Sequence, residues 1–347
     1  MKKVLLGMSG GVDSSVSAIL LKNKGYEVIG CTLKLVDKGN IDENVIDAKK
    51  VCDKLNIKHY TFDFIEDFNK YVVNSFIEEY NNGKTPNPCI VCNKYIKFKL
   101  LYEKAKELGI EYIATGHYAK VEYDERYNDY VLKKSKSLKK DQSYFLYNID
   151  KNILPYILMP LEEFETKDEI RKIAKKEGLE IHSKPDSEDI CFIPNGDYIA
   201  FLKSKNIEFK KGNFIDLNGK IINKHEGIQK YTIGQRKGLG LSFSTPRYVV
   251  RIKNNDVILG EEKDIYLNEL IATDINMLVN MDISKPFECL AKIRYSAKEA
   301  KVKVYKEDDN RFKVIFEEKQ RAVTKGQAIV FYDENKVVLG GGTIFDC

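Results

Sequence analysis

Residues 7–15 read Gly7-Met8-Ser9-Gly10-Gly11-Val12-Asp13-Ser14-Ser15. The apolar run Lys3–Met8 before them has the look of a buried strand, and Ser14–Lys24 behind them of a helix stopped by Gly25. Glycines between a strand and a helix let backbone amides approach a phosphate, and the helix start adds unpaired N–H groups and partial positive charge. Ser9, Ser14 and Ser15 offer hydroxyls, and Asp13 is placed to help organise Mg2+. A Walker loop requires a lysine before its last hydroxyl residue, and none is present, which disfavours γ-phosphate transfer of the usual kind. The dinucleotide spacing G-x-G-x-x-G does not fit either.

Outward from this loop, strand-like and helix-like stretches alternate. Tyr26–Leu35, Lys58–Phe62 and Glu111–Thr115 predict strands; Glu43–Leu55, Asp67–Tyr80 and Tyr95–Leu108 predict helices. Such alternation implies right-handed crossovers and an α/β, doubly wound parallel sheet, with ligands beyond the carboxyl ends of its strands. From about residue 195 the texture changes to short β-like runs punctuated by Gly212-Asn213 and Asn218-Gly219. Beyond Ile271 the period is two, through Ala291–Tyr295, Val302–Tyr305, Phe312–Phe316, Ala328–Tyr332 and Val337–Leu339. The expected organisation is a catalytic α/β domain over 1–195, a small β-rich connecting domain over 196–268 and a C-terminal β-barrel over 269–347.

The chain has 57 basic and 52 acidic residues, a net +5 that is too small to point to a nucleic-acid partner. The single biased tract is Lys133–Lys140, whose plain reading is a solvated loop. No apolar run reaches 18 residues, and Met1–Met8 falls short of a signal-peptide core. Seven cysteines with no such signal fit reduced thiols, so a soluble cytoplasmic protein without a membrane or DNA partner is expected.

Two of those thiols form Cys89-Ile90-Val91-Cys92 behind Thr85-Pro86-Asn87-Pro88. The prolines predict a stiff, non-helical lead-in and a pair that does not open a helix, unlike a thioredoxin motif. A structural zinc site needs a second pair, and the chain has none at matching spacing. Cys191, before Phe192-Ile193-Pro194, would by itself be taken for a buried apolar residue.

Taken in order, SGGVDSS (residues 9–15), TPNPCIVCNKYIKF (85–98), ATGHYA (114–119), KDQSYFL (140–146), CFIP (191–194), YTIGQRKGLG (231–240) and LGGGTI (339–344) span the whole chain. The first resembles the pyrophosphatase loop of ATPases that split ATP to AMP and pyrophosphate. Together the seven resemble the bacterial tRNA 2-thiouridylases, which thiolate the wobble uridine of certain tRNAs. The resemblance implies that ATP adenylates the uracil 2-carbonyl oxygen and that sulfur then displaces AMP. It implies Cys191 as the persulfide carrier and Cys92 as its partner thiol. It implies ATP contacts at Gly7, Met8, Ser9, Gly10, Gly11, Val12, Asp13, Ser14, Leu33 and Gly116. It places Asn87, Pro88 and Cys89 at the target base, which must leave the anticodon stack. His117, Lys140, Asp141, Gln142, Arg294, Tyr295 and Gln327 match tRNA-contacting positions, which gives the lysine tract a claim to RNA as well. The implied partners are tRNA, of the lysine, glutamate and glutamine type, and a cysteine desulfurase or sulfur-relay protein as donor.

One departure matters. Many relatives carry aspartate where this chain has Cys89. The cysteine puts that carboxylate's acid/base role in doubt and creates a trio, Cys89, Cys92 and Cys191, on which an iron–sulfur cluster is the alternative to the persulfide route. Two other classes compete: an ATP-dependent ligase attacked by nitrogen, which needs no thiols, and a non-catalytic RNA-binding module, which needs no complete phosphate loop.

Overall fold

The structure is a computed structural model that describes residues 1–37, 43–183 and 190–347. Strand β1 (Lys3–Gly7) feeds helix α1 (Val12–Asn23); β2 (Glu27–Lys34), α2 (Glu43–Leu55) and β3 (Lys58–Asp63) follow. Two long helices come next, α3 (65–81) and α4 (88–107), then β4 (Tyr112–Ala114). The hairpin β5 (Ala119–Asp124) and β6 (Asp129–Lys134), the short β7 (Ile157–Leu158) and α5 (Lys167–Lys176) complete the α/β part. Its sheet is parallel throughout, in the order β3-β2-β1-β4-β7. Side chains of β1 alternate between faces as a strand requires. Val4 and Leu6 pack with α1, α2 and α5, and Leu5 packs with Phe98, Leu101 and Ala105 of α4. Both faces are covered, as the doubly wound α/β expectation has it.

After α6 (Tyr198–Ser204), strands β8 (Gly212–Ile215), β9 (Ile221–His225), β10 (Tyr248–Lys253) and β11 (Asp256–Gly260) form one sheet in the order β10-β11-β8-β9. The barrel closes through β12 (Tyr266–Met277), β13 (Phe287–Lys292), β14 (Ala300–Asp308), β15 (Arg311–Arg321), β16 (Ala328–Tyr332) and β17 (Val338–Asp346), in the order β12-β15-β14-β13-β16-β17. Among the described residues no helix is long and apolar enough to cross a membrane.

Barrel and α/β domain share a core: Ala328, Val330, Tyr332 and Val338 lie in one cluster with Leu5, Tyr144 and Tyr147. The Tyr144 hydroxyl donates to the Ala328 carbonyl at 2.9 Å, and the Asn276 amide donates to the carbonyls of Tyr147 and Ile149. The closing glycines find their reason here. A Cβ on Gly341 would stand 2.4 Å from the Ile329 carbonyl and 2.7 Å from the Tyr147 ring.

One local expectation fails and another holds only in part. The C-x2-C segment is helical, because Pro88 takes the first position of α4, where its missing N–H costs nothing and its fixed φ fits. The lysine tract is a solvated loop from Ser135 on, where Lys136, Lys139 and Lys140 are exposed and Lys136 pairs with Glu165, but Lys133 pairs with Glu122 and Lys134 meets Glu299. Lys133 and Lys134 belong to β6, so cross-strand and barrel carboxylates reach them.

Gly341→Ala is expected to destabilise the protein by about 1–3 kcal/mol through overpacking between barrel and α/β domain. Urea unfolding followed by tyrosine fluorescence measures it, and an unchanged midpoint would contradict the shared core.

Candidate active site

Parallel strands end on the same side of their sheet, and the glycine loop lies beyond β1 there. Gly10 has φ +69°, and a Cβ on it would meet the Asn44 carbonyl at 2.9 Å. Met8 and Val12 bury their side chains in the core, so what they offer the loop is backbone. Ser9 is exposed. The hydroxyls of Ser14 and Ser15 both donate to the Gly11 carbonyl, at 3.1 and 2.9 Å. Here they tighten the start of α1 instead of standing ready as phosphate donors. Asp13 is engaged too: the Tyr118 hydroxyl donates to Oδ1 at 3.0 Å, and the Lys167 ammonium lies 3.0 Å from Oδ2.

The loop after β4 closes the site. A Cβ on Gly116 would sit 2.9 Å from the Ser14 amide nitrogen, so glycine is what lets the two loops touch. Leu33 is the penultimate residue of β2, in register with Phe62 of β3. Burial, with Lys97 nearby, pushes the His117 imidazole down to about 3; its Nδ1 is paired with Thr115 Oγ1 at 2.8 Å. Gln142 accepts from the Tyr118 amide through Oε1 at 2.9 Å and returns its own amide to the Tyr118 carbonyl at 2.7 Å. The RNA-facing expectation for Asp141 meets an obstacle: it is 5% exposed, and its carboxylate accepts from the Ser135 amide and the Ser143 hydroxyl. It orders its own turn. Lys140 is exposed.

The three thiols converge. Cys89 and Cys191 are exposed, while Cys92 is buried, and Cys92 shares an apolar cluster with Phe192, Ile193 and Ile190 on either side of Cys191. Burial pushes the Cys92 thiol up to about 12; Lys97 opposes this, and Cys191 and Cys89 add to it, so the sulfurs are close enough to feel one another's charge. Cys89 reaches the surface, yet the protein packed around its sulfur still raises its thiol, again with Lys97 opposing. Among the described residues no group of three or more His, Cys, Asp or Glu side chains is disposed to hold a metal ion.

The lead-in to α4 is where three parts of the chain meet. The Thr85 amide donates to the Lys325 carbonyl at 2.9 Å, and the Thr85 carbonyl accepts from Gln327 Nε2 at 2.8 Å. Its hydroxyl pairs with that of Thr232 at 3.1 Å. Gln327, expected at RNA, thus commits one N–H of its amide to this loop. Arg294 donates to the carbonyls of Arg321 and Ala322, and Tyr295 is 37% exposed with its ring 4.5 Å from that of Phe145. Of the target-base residues Pro88 is buried, while Asn87 and Cys89 reach the surface.

Three family models tile the chain: a tRNA methyl transferase HUP domain over residues 2–195, a tRNA methyl transferase PRC-barrel domain over 199–261 and an aminomethyltransferase β-barrel domain over 267–344. The tRNA-specific 2-thiouridylase MnmA of Clostridium kluyveri is 51% identical, covering 99% of each chain. The chain belongs to the tRNA-specific 2-thiouridylase family. The MnmA of Clostridioides difficile is 47% identical over 99% of this thiouridylase-family chain and 98% of its own. Among solved structures, a 4-thiouridine synthetase–RNA complex with bound ATP matches at 17% identity and TM-score 0.39, covering 59% of this chain and 50% of that one.

Three residues of this thiouridylase-family site escaped the sequence reading. Lys97, eight positions after Cys89, stands within one motif, and α4 winds as a π-helix from Asn93 to Leu100 before it resumes α geometry. Residues four apart share a face under either winding, so Cys89, Asn93 and Lys97 form one stripe. That spacing was visible in the sequence. Thr85 and Lys167 act through partners more than 140 residues away, and no local pattern announces them.

Two outcomes are expected. A short iodoacetamide pulse at pH 8, read by peptide mass spectrometry, should label Cys89 more than about tenfold faster than the buried, un-ionised Cys92; equal labelling would contradict the burial. His117 has a folded pKa below its unfolded value, so the unfolded chain takes up its proton first as pH falls from about 6.5. Stability should therefore drop over the window from 6.5 towards 3, and His117→Gln should flatten that limb in denaturant titrations.

Proposed function

We propose that this protein performs ATP-dependent 2-thiolation of the wobble uridine of tRNA, giving 2-thiouridine with release of AMP and pyrophosphate. The observation that carries the reading is the convergence of Cys191 with Cys92, 99 residues away in sequence, in a chain that belongs to the thiouridylase family. ATP enters as its magnesium complex, with its pyrophosphate over the backbone amides of residues 7–14 and Asp13 the carboxylate inside that loop. Leu33 and Gly116 border the nucleotide. Residues 1–195 do the chemistry, while 196–268 and 269–347 grip the tRNA body, with Tyr295 and Lys140 the exposed candidates for RNA contact.

The steps balance. The uracil O2 attacks the α-phosphate, the α–β bond breaks, and pyrophosphate leaves with the electron pair. Cys191, loaded by a desulfurase or relay protein, carries the outer sulfur of a persulfide, which is ionised more readily than a thiol and attacks C2 as AMP departs. The Cys92 thiolate then attacks Cys191 Sγ, freeing the thiolated base and leaving a Cys92–Cys191 disulfide. A thiol reductant resets the pair. Cys92 must lose its proton for that attack, and Lys97 is the cation placed to favour it. Asn87, Pro88 and Cys89 stand at the helix start where the extruded base would arrive.

The deciding experiment is nucleoside mass spectrometry of an unmodified glutamate tRNA transcript incubated with the protein, ATP, Mg2+ and a persulfide-loaded desulfurase. 2-Thiouridine should appear only with ATP. It should fall by more than about a hundredfold in Cys191→Ser and in Cys92→Ser, since each removes a covalent participant. Bound tRNA without thiouridine, in aerobic and anaerobic preparations alike, would overturn the reading, and full turnover by Cys92→Ser would favour a nitrogen-nucleophile ligase.

A further inference from the structure

The phosphate loop contains glycines, serines and an aspartate but no lysine. In the adenylation described above, charge grows on a β-phosphate oxygen as the α–β bond breaks. Backbone amides answer part of that charge, and a full cation facing the loop answers more. The fold brings one there. Lys167 opens α5, and its ammonium lies 3.0 Å from Asp13 Oδ2, across 154 residues of sequence, with its side chain only 14% exposed. The helix does not gain from a lysine at that position. The first turn is the positive end of the helix dipole, which disfavours a cation. The cap is made without it, by Thr166 and Glu169. Tyr118 fixes the other oxygen of Asp13, so ammonium, carboxylate and loop form one unit.

We propose that Lys167 is a phosphate ligand of the ATP site, supplying in space the cation that the loop lacks in sequence. Asp13 holds the ammonium beside the loop while no nucleotide is bound. When ATP enters, the ammonium turns to the β-phosphate oxygens and the carboxylate is released to the accompanying magnesium ion. The exchange makes and breaks no covalent bond. It rests on the reading of this loop as the ATP site.

Inorganic pyrophosphate without Mg2+ is the probe, titrated calorimetrically into the full-length chain. Lys167→Met should weaken binding by about tenfold or more, as loss of a charge-assisted contact does, and Lys167→Arg should stay within a few-fold of wild type. Asp13→Asn, which removes the competing carboxylate, should bind pyrophosphate more tightly than wild type. That gain should vanish in the Asp13→Asn/Lys167→Met double variant. A purely structural ion pair predicts otherwise: wild-type affinity in Lys167→Met, or no gain in Asp13→Asn, overturns the proposal alone. If Lys167→Met does not fold, Lys167→Gln decides in its place, with binding weakened about tenfold expected and wild-type affinity overturning the proposal. Absence of pyrophosphate and ATP binding by the wild-type chain would overturn the loop reading and the proposal with it.

Discussion

Backbone contact at the end of β1 is the constraint on which the rest depends. Two loops touch there with no side chain between them, because Gly10 takes a left-handed conformation against Asn44 and Gly116 lies against the amide of Ser14. A Cβ at either place would push the loops apart, and the N–H groups at the start of α1 would lose their common direction. The side chains of Met8 and Val12 fasten the loop from beneath, while Ser14 and Ser15 tie its last turn to the Gly11 carbonyl. On the proposed reading the result is an anion cradle built from main chain, with Asp13 inside the loop and Lys167 brought to its rim.

A second constraint carries the geometry to the thiols. The lead-in to α4 is pinned by Thr85 to the barrel on one side and to the connecting domain on the other. Gly326, with φ +87°, lets the barrel loop come within about a side chain's width of Lys84 and Thr85. The start of α4, where Cys89 and Cys92 sit, is therefore positioned by all three parts of the chain. On the proposed reading, the domains that hold the tRNA body also set where the base meets sulfur.

Much of this was legible in the sequence, and the remainder was hidden for identifiable reasons. The alternation of β1, α1, β2, α2 and β3 shows because each buries a face with its own period, and the period-two runs after Ile271 show the barrel for the same reason. Pro88 misled because a proline excludes a helix interior but suits a helix start, and only the downstream contacts of Ile90, Ile96 and Phe98 decide which applies. The lysine tract reads correctly as a solvated loop from Ser135 on, but its first two lysines belong to β6, where Glu122 and Glu299 reach them from separate elements. Asp141 and Gln327 match RNA-contacting positions by motif, yet in the fold both carboxylate oxygens of Asp141 are engaged by Ser135 and Ser143, and one N–H of Gln327 is engaged by Thr85. A motif shows which residue types stand together in sequence; it does not show which hydrogen bonds they have already made.

On the proposed reading, exposure divides the labour among the thiols in a way composition does not suggest. A thiol that receives sulfur from another protein must be reachable by something as large as that protein, and Cys191 is exposed where Cys92 is not. A thiol that resolves a persulfide must be kept from attacking too early. Burial among Phe192, Ile193 and Phe76 does this for Cys92 by holding its proton until a cation or a substrate charge lowers the cost of ionisation. Lys97 lies in the same helix as Cys92 and opposes that burial, so the arrangement sets a thiol against an apolar wall with one charge to release it. The same apolar wall that keeps Cys92 protonated also anchors Phe192, the residue next to Cys191. Packing that brings the two sulfurs together is thus the packing that holds one of them in reserve.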